Sequence, residues 1–516
     1  MKRFVILIIG LVAMCFSAEA QLTDQQQIQK LNLVYQQIRN NYVDDVPLEP
    51  LVEEAIIATI KELDPHSSYL TKEEMSALRT RLSGEFAGVG IRYLMHNDTL
   101  VVRTTLANSP AERAKILPND RIVSIDNHSI IAIPTDSVAT LLRGNPHTDV
   151  RLGIIRRGED KPLNITLQRD NIESSAISAA FRIGDIGYIS VSTFSKPVAS
   201  EFYSAYRALG DIEHLIVDLR DNAGGAITSA IDLTGLFLRK GDVVVSTEGR
   251  NNNIVYDAKR DGLLRDIPIT VIINENSASA SEIFAGAIQD HDRGTIIGRT
   301  SYGKGLVQRV VDLKDGSGIC LTVARYKTPS GRVIQRPYAM GDAESYASDT
   351  LRYMHPDSIP HDHELLYHTL KLGRKVYGGG GITPDLYISS DTLRLSPSVA
   401  QSVAEAAFEH TAVEFYDKVA VEDIIAAYPT IDDFIANYDI TTIALALYRE
   451  QAPYVTLDTT PLDDAYIRTM LMAVIAEVVY GVNARHYVYA TLLDPMVGEA
   501  VRLIESNQHR SPYYFD

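Results

Sequence analysis

The chain has 516 residues, room for roughly three domains of about 150 residues each, and a length that buries a core without covalent staples. An apolar content of 45% with no tryptophan is a globular composition, and a net charge of −17 with no basic run excludes a nucleic-acid surface. Of its two cysteines, Cys15 lies in the expected N-terminal leader and only Cys320 lies outside it, which excludes a disulfide framework.

Residues 1–20 have the pattern of a signal peptide. Lys2 and Arg3 precede an apolar stretch, Phe4 to Phe16, and Ala18-Glu19-Ala20 is an A-x-A cleavage site. The apolar stretch is shorter than the ~20 residues of a membrane span. Met14 before Cys15 is too large for a lipid-attachment site. The expectation is an exported protein, periplasmic or in the cell envelope, cleaved after Ala20.

Residues 21–83 read as helices, with Leu31, Val34, Tyr35 and Ile38 on one apolar face and Leu51, Ala55, Ile56 and Ile60 on another. Asp64-Pro65-His66-Ser67 breaks the pattern, and His66 reads as a turn residue. Residues 84–170 read as a small β-rich module: Gly88-Val89-Gly90-Ile91 leads into a strand, and a helix is expected from Asp136 to Arg143. Gly88 and Gly90 lack the third glycine of a dinucleotide fingerprint. Arg143 reads as a solvated helix end.

Residues 171–390 alternate strands and helices, as an α/β core does. A strand from His214 to Leu219 ends in Arg220-Asp221-Asn222-Ala223-Gly224-Gly225. An apolar run, Ile269 to Ile273, is followed by Ser277-Ala278-Ser279-Ala280-Ser281 and then by Ile283, Phe284, Ala287 and Ile288 at one-face helical spacing. A serine at such a strand-to-helix turn sits beside free amides and the positive end of the helix dipole. After the next strand comes Gly303-Lys304-Gly305, with Gln308 four residues on. Desolvation that lowers the lysine pKa from about 10.4 to about 7–8 makes it a usable base. Lys304 and Gln308 share a face, so the amide is placed to orient the amine. Cys320, in an apolar strand, reads as a core residue without a histidine partner. His355, His361, His363 and His368 lie in a polar stretch, and their spacing fits no compact zinc site. Residues 391–516 read as amphipathic helices with no chemical constellation, a helical domain for assembly or substrate caging.

SASASEI followed by YGKGLVQ resembles the active-site signature of the carboxy-terminal processing peptidases, also called tail-specific proteases. The resemblance covers about residues 40–390 and is most specific at 218–225 and 277–308. It implies a crotonase/Clp-protease-like α/β core and a serine–lysine endopeptidase that needs neither cofactor nor metal. It places the nucleophile at Ser279, 25 positions before the base Lys304, with Gln308 in support and Ser277 and Ser281 as flanking candidates. DLRDNAGG is similar to the family's oxyanion motif and implies an oxyanion hole from the amides of Gly225 and Ala280. Ala223 stands where many members have proline. The 84–170 module resembles an inserted PDZ domain, implying that Gly88, Val89, Gly90 and Ile91 present amides to the C-terminus of a polypeptide substrate. A homo-oligomer or an adaptor protein is a further expected partner.

Three alternatives stand beside this reading. Gly298 to Lys304 fits the first part of a phosphate-binding loop, but Gly305 stands where magnesium needs Ser or Thr. A crotonase-like enzyme acting on thioesters shares the core fold. A non-catalytic tail-binding protein on the same scaffold does not account for Ser279, Lys304 and Gln308 together.

Overall fold

The computed structural model describes residues 22–250, 253–348, 363–389, 394–455 and 460–506. The expected signal peptide, His355, His361 and the side chain of His363 lie outside the described residues. Among the described residues no group of three or more His, Cys, Asp or Glu is arranged to hold a metal ion, and no helix is long and apolar enough to cross a membrane.

The centre is a six-stranded sheet in the order Ile177–Ile183, Ile186–Val191, His214–Asp218, Ile269–Ile273, Thr295–Gly298, Leu386–Tyr387. The first pair is antiparallel and each later pair is parallel. His214–Asp218 and Ile269–Ile273 are buried along their whole length, as unbroken apolar strands are when helices cover both faces. Leu215, Val217, Val271, Ile273 and Ile296 face one core, closed by Phe202, Leu233, Ile283, Phe284 and Ile288 from three helices. Ile216, Ile272, Ile297 and Tyr188 face the other core, closed by Ala490, Met496, Val497, Ala500 and Leu503. These last residues belong to the helices Val482–Leu492 and Pro495–Glu505. The end of the helical tail is thus a layer of the central sheet rather than an appendage. Each fully buried Val, Leu or Met there contributes about 1.5–3 kcal/mol.

A second sheet is antiparallel and contains Ser68–Leu70, Gly318–Lys327, Val243–Gly249 and Asn253–Asp257, with Leu306–Asp312 also paired to Gly318–Lys327. The N-terminal helices enter this sheet through Ser68–Leu70. The helix Asp24–Asn41 forms where the apolar stripe predicts it, with a capping box from Thr23 and Gln26, yet none of its residues is buried.

The β-rich module hangs from a two-stranded ribbon of Glu85–Gly88 and Asp170–Glu173. Its sheet runs Ile91–His96, Thr99–Thr105, Arg121–Ile125, Asp149–Ile155, Leu163–Gln168, so Ile91–His96 is an edge strand. Leu100, Val102, Ile122 and Leu152 form its core with Val138 and Leu142 of the helix Thr135–Leu142. The opposite face meets the helices Ala407–Lys418 and Pro461–Tyr480. Arg103 pairs with Glu477 at 2.6 Å, Arg121 pairs with Asp417, and His96 Nδ1 lies 2.8 Å from His410 Nδ1.

Candidate active site

Three loops leave the carboxyl ends of the adjacent parallel strands His214–Asp218, Ile269–Ile273 and Thr295–Gly298, the edge at which open α/β sheets place their sites. They carry Gly225, Ser279 and Lys304 respectively.

Ser279 caps the helix Ala280–Asp290 at φ 56° and ψ −110°. A non-glycine residue pays roughly 1–3 kcal/mol for such a conformation, which persists only where its surroundings hold it. Here its amide donates to Glu282 Oε2 at 2.7 Å, and its carbonyl accepts from Tyr326 OH at 3.2 Å. The Asn222-Ala223-Gly224-Gly225 loop packs directly behind it. Ala278 N and Ser281 Oγ both donate to Asn222 O, at 3.0 and 2.8 Å. A Cβ on Gly224, at φ +96°, would lie 2.7 Å from Ala278 O and 2.9 Å from Ala280 N. Only glycine lets the two loops approach this closely. The amides of Gly225 and Ala280 have no bonded acceptor among the described residues.

Lys304 Nζ donates to Gln308 Oε1 at 2.8 Å. The Gln308 amide nitrogen donates to His66 O, which fixes the amide so that its oxygen faces the amine. Burial lowers the Lys304 pKa below the ordinary lysine value, with Arg81 adding to the effect and Cys320 and Glu282 opposing it. Among the described residues no hydrogen bond joins Lys304 to the Ser279 hydroxyl.

Glu282 ties the serine loop to the lysine loop. Its fully buried carboxylate accepts from the amides of Ser279, Gly303 and Lys304 at 2.7, 2.7 and 2.9 Å and from Ser301 Oγ at 2.6 Å. Burial raises its pKa, against the pull of these bonds. Tyr326 makes a second tie, donating to Lys304 O at 2.6 Å. The Asp64-Pro65-His66-Ser67 turn supports the lysine side alone, through Gln308. Asp64 Oδ1 accepts from the amides of His66 and Ser67 at 2.9 and 2.8 Å, and so holds the His66 carbonyl toward Gln308. The His66 ring lies 3.0 Å from Tyr346 OH, and burial followed by the charge of Lys304 lowers its pKa to about 4.

Ser279, Lys304, Gln308 and Gly225 line one cavity of about 290 Å³ together with Ala223, Tyr326 and Cys320. Cys320 is half-buried at this wall and is not a core residue. Ser277 and Ser281 are fully buried structural hydroxyls, bonded to Leu219 O and Asn222 O at 2.8 Å each. The sequence reading assigned no role to Glu282, Tyr326 or Asp64. Ser279 and Glu282 have the S-x-x-E spacing of a capping box, a signal that was available for Glu282.

In the β-rich module, Gly88 ends its strand and Val89 buries its side chain in the module core. Gly88, Val89 and Gly90 are buried, Ile91 is half-buried, and the carbonyls of Val89 and Gly90 accept from the amides of Ala111 and Leu106 at 2.9 Å each.

Residues 185–344 match Peptidase family S41, residues 101–156 match PDZ domain, and residues 13–74 match the Activating protease CtpB N-terminal domain. A carboxy-terminal-processing protease of Bartonella bacilliformis is 39% identical over 319 residues, covering 60% of this chain and 73% of that one. A probable CtpA-like serine protease of Staphylococcus aureus is 32% identical over 368 residues, covering 69% and 73%. The solved photosystem II D1 C-terminal processing protease shares 24% identity over 70% of this chain and 88% of that one, with a TM-score of 0.35. The fold is mixed α/β with a PDZ domain and several C-terminal helices, and the protein is a serine-type peptidase. The chain belongs to the carboxy-terminal-processing proteases of peptidase family S41.

Proposed function

We propose that the chain is an exported endopeptidase that takes unfolded or envelope proteins by their C-termini and cuts them with a serine–lysine site. In this reading the main chain of Gly88 to Ile91 receives the substrate's terminal carboxylate, and the substrate adds a strand beside Ile91–His96. Neutral Lys304 takes the proton from Ser279 Oγ, which attacks the scissile carbonyl. The amides of Gly225 and Ala280 stabilise the oxyanion. Protonated Lys304 gives its proton to the leaving amine, leaving an acyl-enzyme. A water deprotonated by Lys304 then releases the acyl group. Gln308 holds the amine in place. Export rests on the charged, apolar and A-x-A pattern of residues 1–20.

The observation that carries this proposal is one cavity lined by a strained serine and a desolvated lysine already bonded to Gln308. The test is cleavage of an unfolded polypeptide by wild type, Ser279→Ala and Lys304→Ala. Ser279→Ala is expected to be inactive, and Lys304→Ala to lose about 100- to 10,000-fold. Cleavage at the wild-type rate by either variant removes that residue from the mechanism.

A further inference from the structure

Arg220 opens the turn that leads to Gly225, and its guanidinium is clamped from two sides. Nε donates to Asp218 Oδ1 and Oδ2 at 3.1 and 2.9 Å, and a terminal nitrogen donates to Asp494 Oδ2 at 2.6 Å. Asp218 is itself held by Tyr188 OH at 2.6 Å. The Asp494 side chain is 1% exposed and that of Arg220 is 20% exposed. Asp494 lies far beyond the S41 match, which ends at residue 344.

The two oxygens of Asp494 have different partners. Oδ1 accepts from the amides of Met496 and Val497 at 2.9 and 3.2 Å, capping the helix Pro495–Glu505, while Oδ2 takes Arg220. Met496, Val497, Ala500 and Leu503 press this helix onto the central sheet, so Asp494 is fixed in place before it meets the guanidinium. Burial pulls the Arg220 pKa down, but the charges of Asp218 and Asp494 hold it well above the ordinary arginine value. The turn after Arg220 is constrained as well. Asp221 sits at φ 57°, and its amide donates to Asn274 Oδ1 at 2.9 Å, in the loop that carries Ser279.

We propose that Asp494 is a positioning residue of the peptidase: by locking Arg220 it holds the turn that aims the Gly225 amide at the reacting carbonyl. The C-terminal helical region therefore supplies part of the active-site support. This inference rests on the assignment of Ser279 as nucleophile and Gly225 as oxyanion donor. The clamp borders a polar cavity of about 530 Å³ lined also by Asp221, Asn274 and His486. An Arg220 released from Asp494 has room and water there, so the expected effect is on site geometry rather than on folding.

The test compares full-length wild type, Asp494→Asn, Asp494→Ser, Asp494→Glu and Ser279→Ala on an unfolded polypeptide. A fluorophosphonate probe counts reactive serines, and thermal melting reports folding. Asn and Ser keep an N-cap acceptor, so the helix keeps its start. Both are expected to lower kcat per labelled site by about 10- to 100-fold, the scale of a misplaced catalytic group, with KM within about threefold. Asp494→Glu is expected to recover part of the loss. A kcat per labelled site within twofold of wild type in both Asn and Ser variants overturns the proposal, as does a lowered melting temperature with kcat per site unchanged. Cleavage or labelling of Ser279→Ala at wild-type level instead overturns the nucleophile assignment, an outcome the Asp494 variants do not produce.

Discussion

A carboxylate taken fully out of water is costly unless its lone pairs meet donors. Glu282 meets four, and three of them are amides of the residues that flank or carry the chemistry. Glu282→Gln turns one oxygen into a donor facing donors, and each stranded buried amide costs about 1–3 kcal/mol. The expected result is a lower melting temperature and loss of probe labelling at Ser279; an unchanged melt and labelling rate would sink this account. At Lys304 the sign of the pH dependence follows from burial. As the proposed base, Lys304 works only when neutral, and a pKa lowered from the ordinary lysine value makes it neutral at lower pH. Cleavage is therefore expected to rise with pH through the Lys304 pKa, and Lys304→Arg, charged throughout, is expected to be inactive. A kcat/KM flat between about pH 6 and pH 10 would contradict the assignment.

The strand Leu306–Asp312 shifts register against Gly318–Lys327 between Val307 and Gln308. Such bulges re-aim side chains beside active sites, and this one turns Gln308 toward Lys304 and His66 O. The turn that supplies His66 O depends on Asp64. Its Oδ2 accepts from Ser67 Oγ at 2.6 Å, and its Oδ1 accepts from Thr322 Oγ1 at 3.1 Å. Asp64→Ala removes the acceptor of two turn amides, costing about 1–3 kcal/mol apiece, and frees Gln308. The expected outcome is a displaced pH–rate profile together with a lower melting temperature; an unmoved profile would separate this turn from the lysine. That Ser279, Lys304 and Gln308 line one cavity agrees with the proposed site, which small residues, flanking glycines, a four-residue spacing and the family resemblance singled out in the sequence. Their supports were not legible there, because the pairing of Gln308 with His66 spans 242 positions and exists only once Ser68–Leu70 and Leu306–Asp312 have both paired with Gly318–Lys327. Cys320 was misread for the same reason: an apolar strand shows that a side chain is inward, not that the inside there is a cavity.

The PDZ domain and the C-terminal helices meet through charged and titratable groups. His410 faces His96, Glu409 and Arg103, and His96 also meets Glu414 at 2.8 Å. Burial lowers the His410 pKa, with His96 and Arg103 adding to the effect and Glu409 opposing it. A depressed folded-state pKa means that stability present above the unfolded value of 6.5 is lost as pH falls below it. The protection of amides in Ile91–His96 and Ala407–Lys418 against hydrogen exchange, relative to their intrinsic rates, is therefore expected to fall as pH drops through that window, and His410→Gln is expected to flatten the response. Equal protection on both sides of the window would refute it. Strand–helix alternation made the α/β core legible, and the PDZ domain was legible only through the resemblance of the β-rich module to the one inserted in processing peptidases, whereas the destination of the tail was not. An amphipathic helix reveals that it has an apolar stripe but not which surface it meets, so the region 391–516, read as a domain for assembly or substrate caging, ends in helices that cover the central sheet, while Asp24–Asn41, read with an apolar face, buries none of its residues. The helices that cover one face of the central sheet are therefore synthesised after every strand of that sheet. A polypeptide still being translated lacks Met496 and Leu503 for roughly a hundred residues after the last strand, Leu386–Tyr387, has been made, so the site is expected to form late. Ribosome-stalled chains halted before Tyr480 are expected to resist the fluorophosphonate probe, and chains released past Glu505 to accept it.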